Sequence, residues 1–218
     1  MRILFLQQQP CMRALKYAVG LRAALPRIRL GFAYQGKTLS GWYGSGDELF
    51  DRWWDLGHEP VKGLRAAVEA FRPDLIHSHN LPDSLTVMAL ELCGNRVPIV
   101  HDVHDLQSLR QTPYEHGFPE PREPLALERL ALEHCRALVA VSDELLDVIG
   151  ARYRVTSPTL AFANCLACCR PSSGDSGIRP GSCTRALSRR TAVTTTCVGS
   201  SVLSWRRASC STSTRREG

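Results

Sequence analysis

The sequence predicts an α/β fold for residues 1–163: a Rossmann-like open parallel sheet with helices on both faces. Three observations predict it. Short apolar runs alternate with stretches of helical periodicity through this whole segment. The first run, Arg2–Leu6 (RILFL), is apolar after its first residue, as a central strand buried on both faces requires. Polar clusters directly follow the later apolar runs, which is where an open α/β sheet presents ligand-binding residues.

Gln7, Gln8 and Gln9 end the first strand. Residues 11–25 read as a helix with Met12, Leu15, Val19 and Leu21 on its apolar face, and Arg29–Tyr34 as a second strand. Gly36–Gly46 is polar and glycine-rich, hence a loop, and Glu48–Trp54 reads as a short helix carrying Trp53 and Trp54. Val61, Leu64, Val68 and Phe71 keep helical spacing up to the break at Pro73, and Asp74–Ser78 is a strand. Pro82 is placed in the first turn of the next helix, where its missing N–H is not needed, and that helix runs to Cys93. Val97–His101 is a strand. Pro113, Pro119 and Pro121 make 105–123 a long loop, a length that often signals function. Pro124–His134 is helical and Ala137–Val141 is a strand. Ser142 with Asp143 and Glu144 gives a helix start, with a hydroxyl cap and acids in the first turn. That helix covers 143–152, and Pro158–Ala163 is the last strand.

Residues 164–218 differ in kind. They hold eleven Ser, seven Thr, nine Arg and six of the nine Cys, with Asp175 and Glu217 the only acids. The tail carries +7 of a chain total of +6, which leaves −1 for residues 1–163. So few large apolar residues do not offset ordering entropy, and an unstructured low-complexity tail is expected. Its arginines lack the aromatic interleaving of a nucleic-acid surface, and no nucleic-acid partner is expected. Cys165, Cys168 and Cys169 lack a matching second pair, so no zinc site is expected. Out-of-frame reading of GC-rich coding DNA produces this composition. Shifting the frame one nucleotide upstream permits Val-Val-Tyr-Glu-Gly-Thr-Leu over Ser182–Ser188, a strand pattern closing on glycine. The tail is therefore expected to be frame-shifted. No run approaches the ~18 apolar residues of a membrane span, and a cytoplasmic setting with reduced thiols is expected.

Five of the seven histidines lie between positions 77 and 116. The strand-end clusters are His77–Asn80, His101–Asp105 and Ser142–Glu144. His101, His104, Asp102 and Asp105, with His77 or His79, offer metal-ligand chemistry, but successive strand residues face opposite sides of a sheet, so not all of them converge. No metal is expected. A GxSxG elbow is absent, and the turn after the first strand lacks the glycines of a dinucleotide fingerprint.

The segments RILFL, RPDLIHSHN (72–80), VPIVHDVHD (97–105) and ALERLALEHCRALVAVSDELLDVI (126–149) together resemble the N-terminal domain of GT-B retaining glycosyltransferases, group 1 or family 4. The resemblance covers nearly all of 1–163. It implies an acceptor-side Rossmann-like domain facing a donor-binding partner domain, and transfer of a sugar from a nucleotide sugar to a hydroxyl on a glycan or lipid. No resident cofactor is implied. By the same resemblance His104 is the catalytic-site histidine, with His101 the second choice. His79, Asn80, His101, Asp105 and Ser142 are the substrate-binding candidates. Two departures stand out. The glycine pair after the first strand is missing, and so is the family's motif of two glutamates separated by seven residues, which belongs to the donor domain. The chain is therefore expected to be truncated and inactive alone. The alternative is a non-catalytic domain that binds an acceptor, a protein partner or an anionic membrane surface through Arg13, Lys16 and Arg22, placing it peripherally at the inner face of the membrane.

Overall fold

Among the described residues, seven strands form one sheet: β1 (Arg2–Leu6), β2 (Arg29–Tyr34), β3 (Arg52–Asp55), β4 (Leu75–His79), β5 (Ile99–Val103), β6 (Ala137–Ala140) and β7 (Thr159–Ala161). The structure, a computed structural model, describes residues 1–110 and 123–164. Every neighbouring pair is parallel, in the order β3-β2-β1-β4-β5-β6-β7. The chain winds outward from β1 to β3, then returns to the other side of β1 with β4. The switch point thus lies between β1 and β4, and a crevice opens beyond their carboxyl ends.

Strand alternation sorts the core into two layers. Ile3, Phe5, Leu30 and Phe32 point to the face covered by α1 (Met12–Ala24), with Ala14, Ala18 and Phe50. Leu4, Leu6, Ala33 and Ile76 point to the face covered by α3 (Pro60–Phe71) and α4 (Ser84–Cys93). A five-residue helix α2 (Leu39–Tyr43) lies between β2 and β3. Helices α5 (Pro124–His134) and α6 (Asp143–Arg152) flank β6.

Several sequence expectations are corrected. Met12 and Val19 are exposed, and the buried face of α1 is Arg13, Ala14 and Ala18. The alanines let the helix lie close to the sheet, and Arg13 has an ionic partner beneath it. Arg22 is engaged too, donating to the Leu49 carbonyl and pairing with Asp51 at 3.2 Å. Two of the three cations proposed for a membrane surface are therefore turned inward or paired. The expected 36–46 loop contains α2, whose start is capped by Thr38. Trp53 and Trp54 lie on the edge strand β3 and not on a helix. Trp53 stacks on Phe32 at 4.8 Å on one face, and Trp54 meets Phe71 at 5.4 Å on the other. Gly31 on β2 makes room for that second contact, since a Cβ there would lie 2.8 Å from the Trp54 ring. Pro82 precedes the Asp83 cap of α4 and is not in its first turn; the Leu81–Pro82 bond is cis. Strand β5 runs two residues further than expected, to Val103, which draws Asp102 into the sheet after His101. Residues 107–109 form a single 3-10 turn, and the rest of the expected long loop lies outside the described residues. So do the tail readings that begin at Cys165, the frame shift included. No helix among the described residues is long and apolar enough to cross a membrane.

Candidate active-site crevice

At the switch point, period-2 alternation places His77 and His79 of β4 and Asp102 of β5 on the α1 face of the sheet. Asp102 is fully buried and is held from above by Arg13. Arg13 Nε donates to Asp102 Oδ2 at 2.8 Å and Nη2 donates to Oδ1 at 3.0 Å. A buried carboxylate without such a partner carries a large desolvation cost; a two-pronged guanidinium offsets it with directed hydrogen bonds. His104 follows β5, with Nε2 at 3.5 Å from Asp102 Oδ1, and His79 Nδ1 lies 3.8 Å from Oδ2. His77 Nδ1 and His79 Nε2 are 3.2 Å apart. The roof of this cluster is aromatic. Tyr17 packs at 4.7 Å on His77 and 5.1 Å on Phe162, and the Arg13 guanidinium lies 5.2 Å from both the Tyr17 and Phe162 ring centroids. Arg13 Nη1 also donates to Asn164 Oδ1 at 3.1 Å, tying the segment after β7 to the same cluster.

The charge states follow from burial. Burial pushes the His77 imidazole down to about 4, only partly countered by Asp102, and holds His79 well below the ordinary histidine value. Both rings are neutral near pH 7. Burial alone would raise Asp102; the His104 contact, the neighbouring His79 and the Arg13 pair outweigh it and hold the carboxyl well below its usual range. The Tyr17 hydroxyl is pushed up by burial and by Asp102. The cluster therefore carries one buried anion and one buried cation, with His77 and His79 as neutral dipoles beside them.

Of the residues singled out in the sequence, His79, Asn80, His104 and Asp105 lie together at the β4 and β5 ends. Asn80 Oδ1 accepts from the His104 backbone N–H at 2.8 Å, and its amide donates to the Asp105 carbonyl. Asn80 thus clamps the turn that carries His104. Asp105 extends its carboxylate to Arg110 at 3.5 Å. His101 is not part of this group. It points to the α4 face, fully buried, with Nδ1 at 3.2 Å from Ser78 Oγ and 3.0 Å from Thr86 Oγ1, and Nε2 at 3.2 Å from Asp83. It ties α4 to the sheet. Ser142 caps α6 by accepting from the Leu145 N–H at 3.2 Å. His77 and Asp102 lie in the strand-end clusters of the sequence but not among its substrate-binding candidates, and Arg13 and Tyr17 lie outside both. Alternation through HDVHD carries the signal, since it separates His101 from Asp102, and a buried acid requires a base.

His77, His79 and Asp102 offer ligand atoms within 4.8 Å of one another. Arg13 already engages both carboxylate oxygens, and a guanidinium in contact with the carboxylate opposes a further cation. A surface cavity of about 420 Å³ lies far from this chemistry, at the amino edge of the sheet. Its arginines Arg2 and Arg96 are engaged by Asp74 and by the Leu92 and Cys93 carbonyls.

Residues 43–161 match the family model described as Glycosyltransferase Family 4. Nothing among curated proteins matches the chain. Among solved structures, sucrose-phosphate synthase from Thermosynechococcus elongatus is similar at a TM-score of 0.54 and 11% identity, over 75% of this chain and 48% of that one. A UDP-glucosyltransferase from Polygonum tinctorium gives 0.46 and 12%, over 73% and 52%, and a ugt transferase from Siraitia grosvenorii 0.47 and 12%, over 79% and 50%. The chain spans about half the length of these three. The first likeness is one of fold.

Proposed function

The chain belongs to glycosyltransferase family 4, and from that premise we propose that residues 1–163 are the acceptor-side half of a transferase that moves a sugar from a nucleotide sugar to a hydroxyl of a glycan or lipid. The observation that carries this reading is the polar floor at the β1/β4 switch point, where His104, His79 and Asn80 surround a charge-balanced Arg13–Asp102 pair. Imidazole nitrogens and an amide suit hydroxyls, which need both donors and acceptors. His104 orients the sugar or the acceptor beside the reacting centre. Among the described residues, Arg13 and Arg110 lie against the carboxylates of Asp102 and Asp105, so they offer little to the phosphate charge that develops on the leaving group. Stabilising that charge is usually the largest electrostatic contribution to such a reaction. We infer that a second, donor-binding unit supplies those donors, and that this polypeptide alone has no substantial transferase activity.

Incubation with a panel of nucleotide sugars and with glycan and lipid acceptors tests both parts. No turnover is expected from this chain, and turnover is expected once a donor-binding domain of the family is fused after β7. Turnover by the chain alone overturns the half-site reading; its absence from every fusion overturns the transferase reading.

A further inference from the structure

We propose that Asp102 is a positioning residue that fixes His104 as its Nε2–H tautomer, leaving Nδ1 as a hydrogen-bond acceptor that takes only O–H or N–H donors from a ligand. The tautomer builds on the transferase reading only in what it says of the ligand; the geometry stands on its own.

An ionised carboxylate has about four acceptor positions and no donor. Arg13 fills two of those on Asp102, one on each oxygen. Two remain, and two ring nitrogens face them: His104 Nε2 at 3.5 Å from Oδ1 and His79 Nδ1 at 3.8 Å from Oδ2. Both nitrogens are buried and have no hydrogen-bond partner at shorter range. Each either points an N–H or a lone pair at a buried anion. The lone-pair arrangement is repulsive in a low-dielectric site, and the N–H arrangement is attractive. Asp102 therefore sets His79 as Nδ1–H and His104 as Nε2–H.

The assignment propagates without conflict. With its proton on Nδ1, His79 has a lone pair on Nε2, which accepts from His77 Nδ1–H at 3.2 Å. Three imidazoles and one carboxylate then form a consistent set of donors and acceptors. His104 differs from the other two in exposure: about a quarter of its side chain, 24%, reaches solvent, whereas His79 is fully enclosed. Its Nε2 is buried beside Asp102, so the exposed part of the ring lies elsewhere. With the proton held on Nε2, Nδ1 is the nitrogen that keeps a lone pair. It accepts from a sugar hydroxyl and repels a phosphate or carbonyl oxygen placed in the same position.

Long-range ¹⁵N–¹H NMR of the full chain labelled at histidine reads each tautomer directly and needs no transferase activity, so its outcome is independent of the function reading. An imidazole with no such neighbour populates both forms. In the wild type, His104 is expected as a single Nε2–H form with widely separated ring-nitrogen resonances, and His79 as Nδ1–H. In Asp102→Asn, and in the neutral pair Arg13→Gln/Asp102→Asn, the His104 resonances are expected to converge as the Nδ1–H form appears. A wild-type His104 carrying its proton on Nδ1, or one in a mixture, overturns the proposal even if neither variant folds. Unchanged tautomers in the folded variants overturn it as well.

Discussion

Arg13 in the first turn of α1 and Asp102 on β5 lie 89 residues apart in the chain and meet in a two-pronged ion pair that solvent does not reach. This pair explains why α1 places an arginine, and not Met12 or Val19, against the sheet. Breaking a buried pair by removing one partner leaves an uncompensated charge. Asp102→Ala is expected to cost about 3–5 kcal/mol, whereas Arg13→Met/Asp102→Leu, which removes both charges, costs far less. Urea unfolding of the single and double variants measures the difference. Equal costs would mean that Arg13 is stabilised by something other than Asp102.

Acid should destabilise the fold through its buried histidines before Asp102 is protonated. His77 titrates at about 4 in the fold, against an ordinary 6.5 in the unfolded chain, because burial disfavours its charged form. Between those values the unfolded chain takes up a proton that the folded one refuses, so stability falls as pH drops through the window. For this group alone the loss is about 2 kcal/mol between pH 7 and pH 5, and His79 adds to it with the same sign. Below that window Asp102 continues the trend, since its carboxyl is held low in the fold and is ordinary in the unfolded chain. His77→Phe keeps a ring against Phe5 and Tyr17 and removes the proton site. Its stability is expected to vary less over pH 5–7 than that of wild type, by urea unfolding at each pH; identical slopes would assign the acid sensitivity elsewhere.

Ser142 is a test of local helix chemistry. Its hydroxyl accepts from the Leu145 N–H, and Asp143 and Glu144 follow in the first turn of α6. Ser142→Ala is expected to lose about 1 kcal/mol and Ser142→Asp to lose little, since aspartate caps as well as serine. Thermal unfolding of the two variants distinguishes the cap from a role confined to the crevice, in which case both substitutions would leave stability unchanged.

The legible and illegible parts of this chain divide along physical lines. Continuous apolar runs such as Ile3–Leu6 and the Ser142 cap are local signals, and β1, α3, α5 and α6 lie where the sequence places them. Trp53 and Trp54 read as helical because a two-residue aromatic pair carries no period; only pairing with β2 shows that they straddle an edge strand. The site was legible as a region and not as a geometry. HDVHD marks the correct end of β5, but a two-residue shift in the strand boundary decides which side chains are buried. Asp102 needed Arg13 to be interpretable, and no local pattern links positions 89 residues apart.

His101 and His104, three residues apart, should respond to alanine substitution in opposite ways. His101 is fully buried, and its loss leaves the Asp83 carboxylate and the Ser78 and Thr86 hydroxyls without their shared partner under α4. Its removal is expected to cost about 2–5 kcal/mol, the range for orphaning buried polar and charged groups. His104 is partly exposed, and Asp102 retains both Arg13 bonds without it. His104→Ala is therefore expected to change stability by less than about 1 kcal/mol. In a fusion carrying a donor-binding domain, the same substitution should lower turnover by about 10- to 100-fold, the scale of one lost hydrogen bond of ~1.4–2.7 kcal/mol in the transition state. Melting temperature and turnover measured on both variants decide the matter. A stable, slow His101→Ala beside an unstable, active His104→Ala would exchange the two roles.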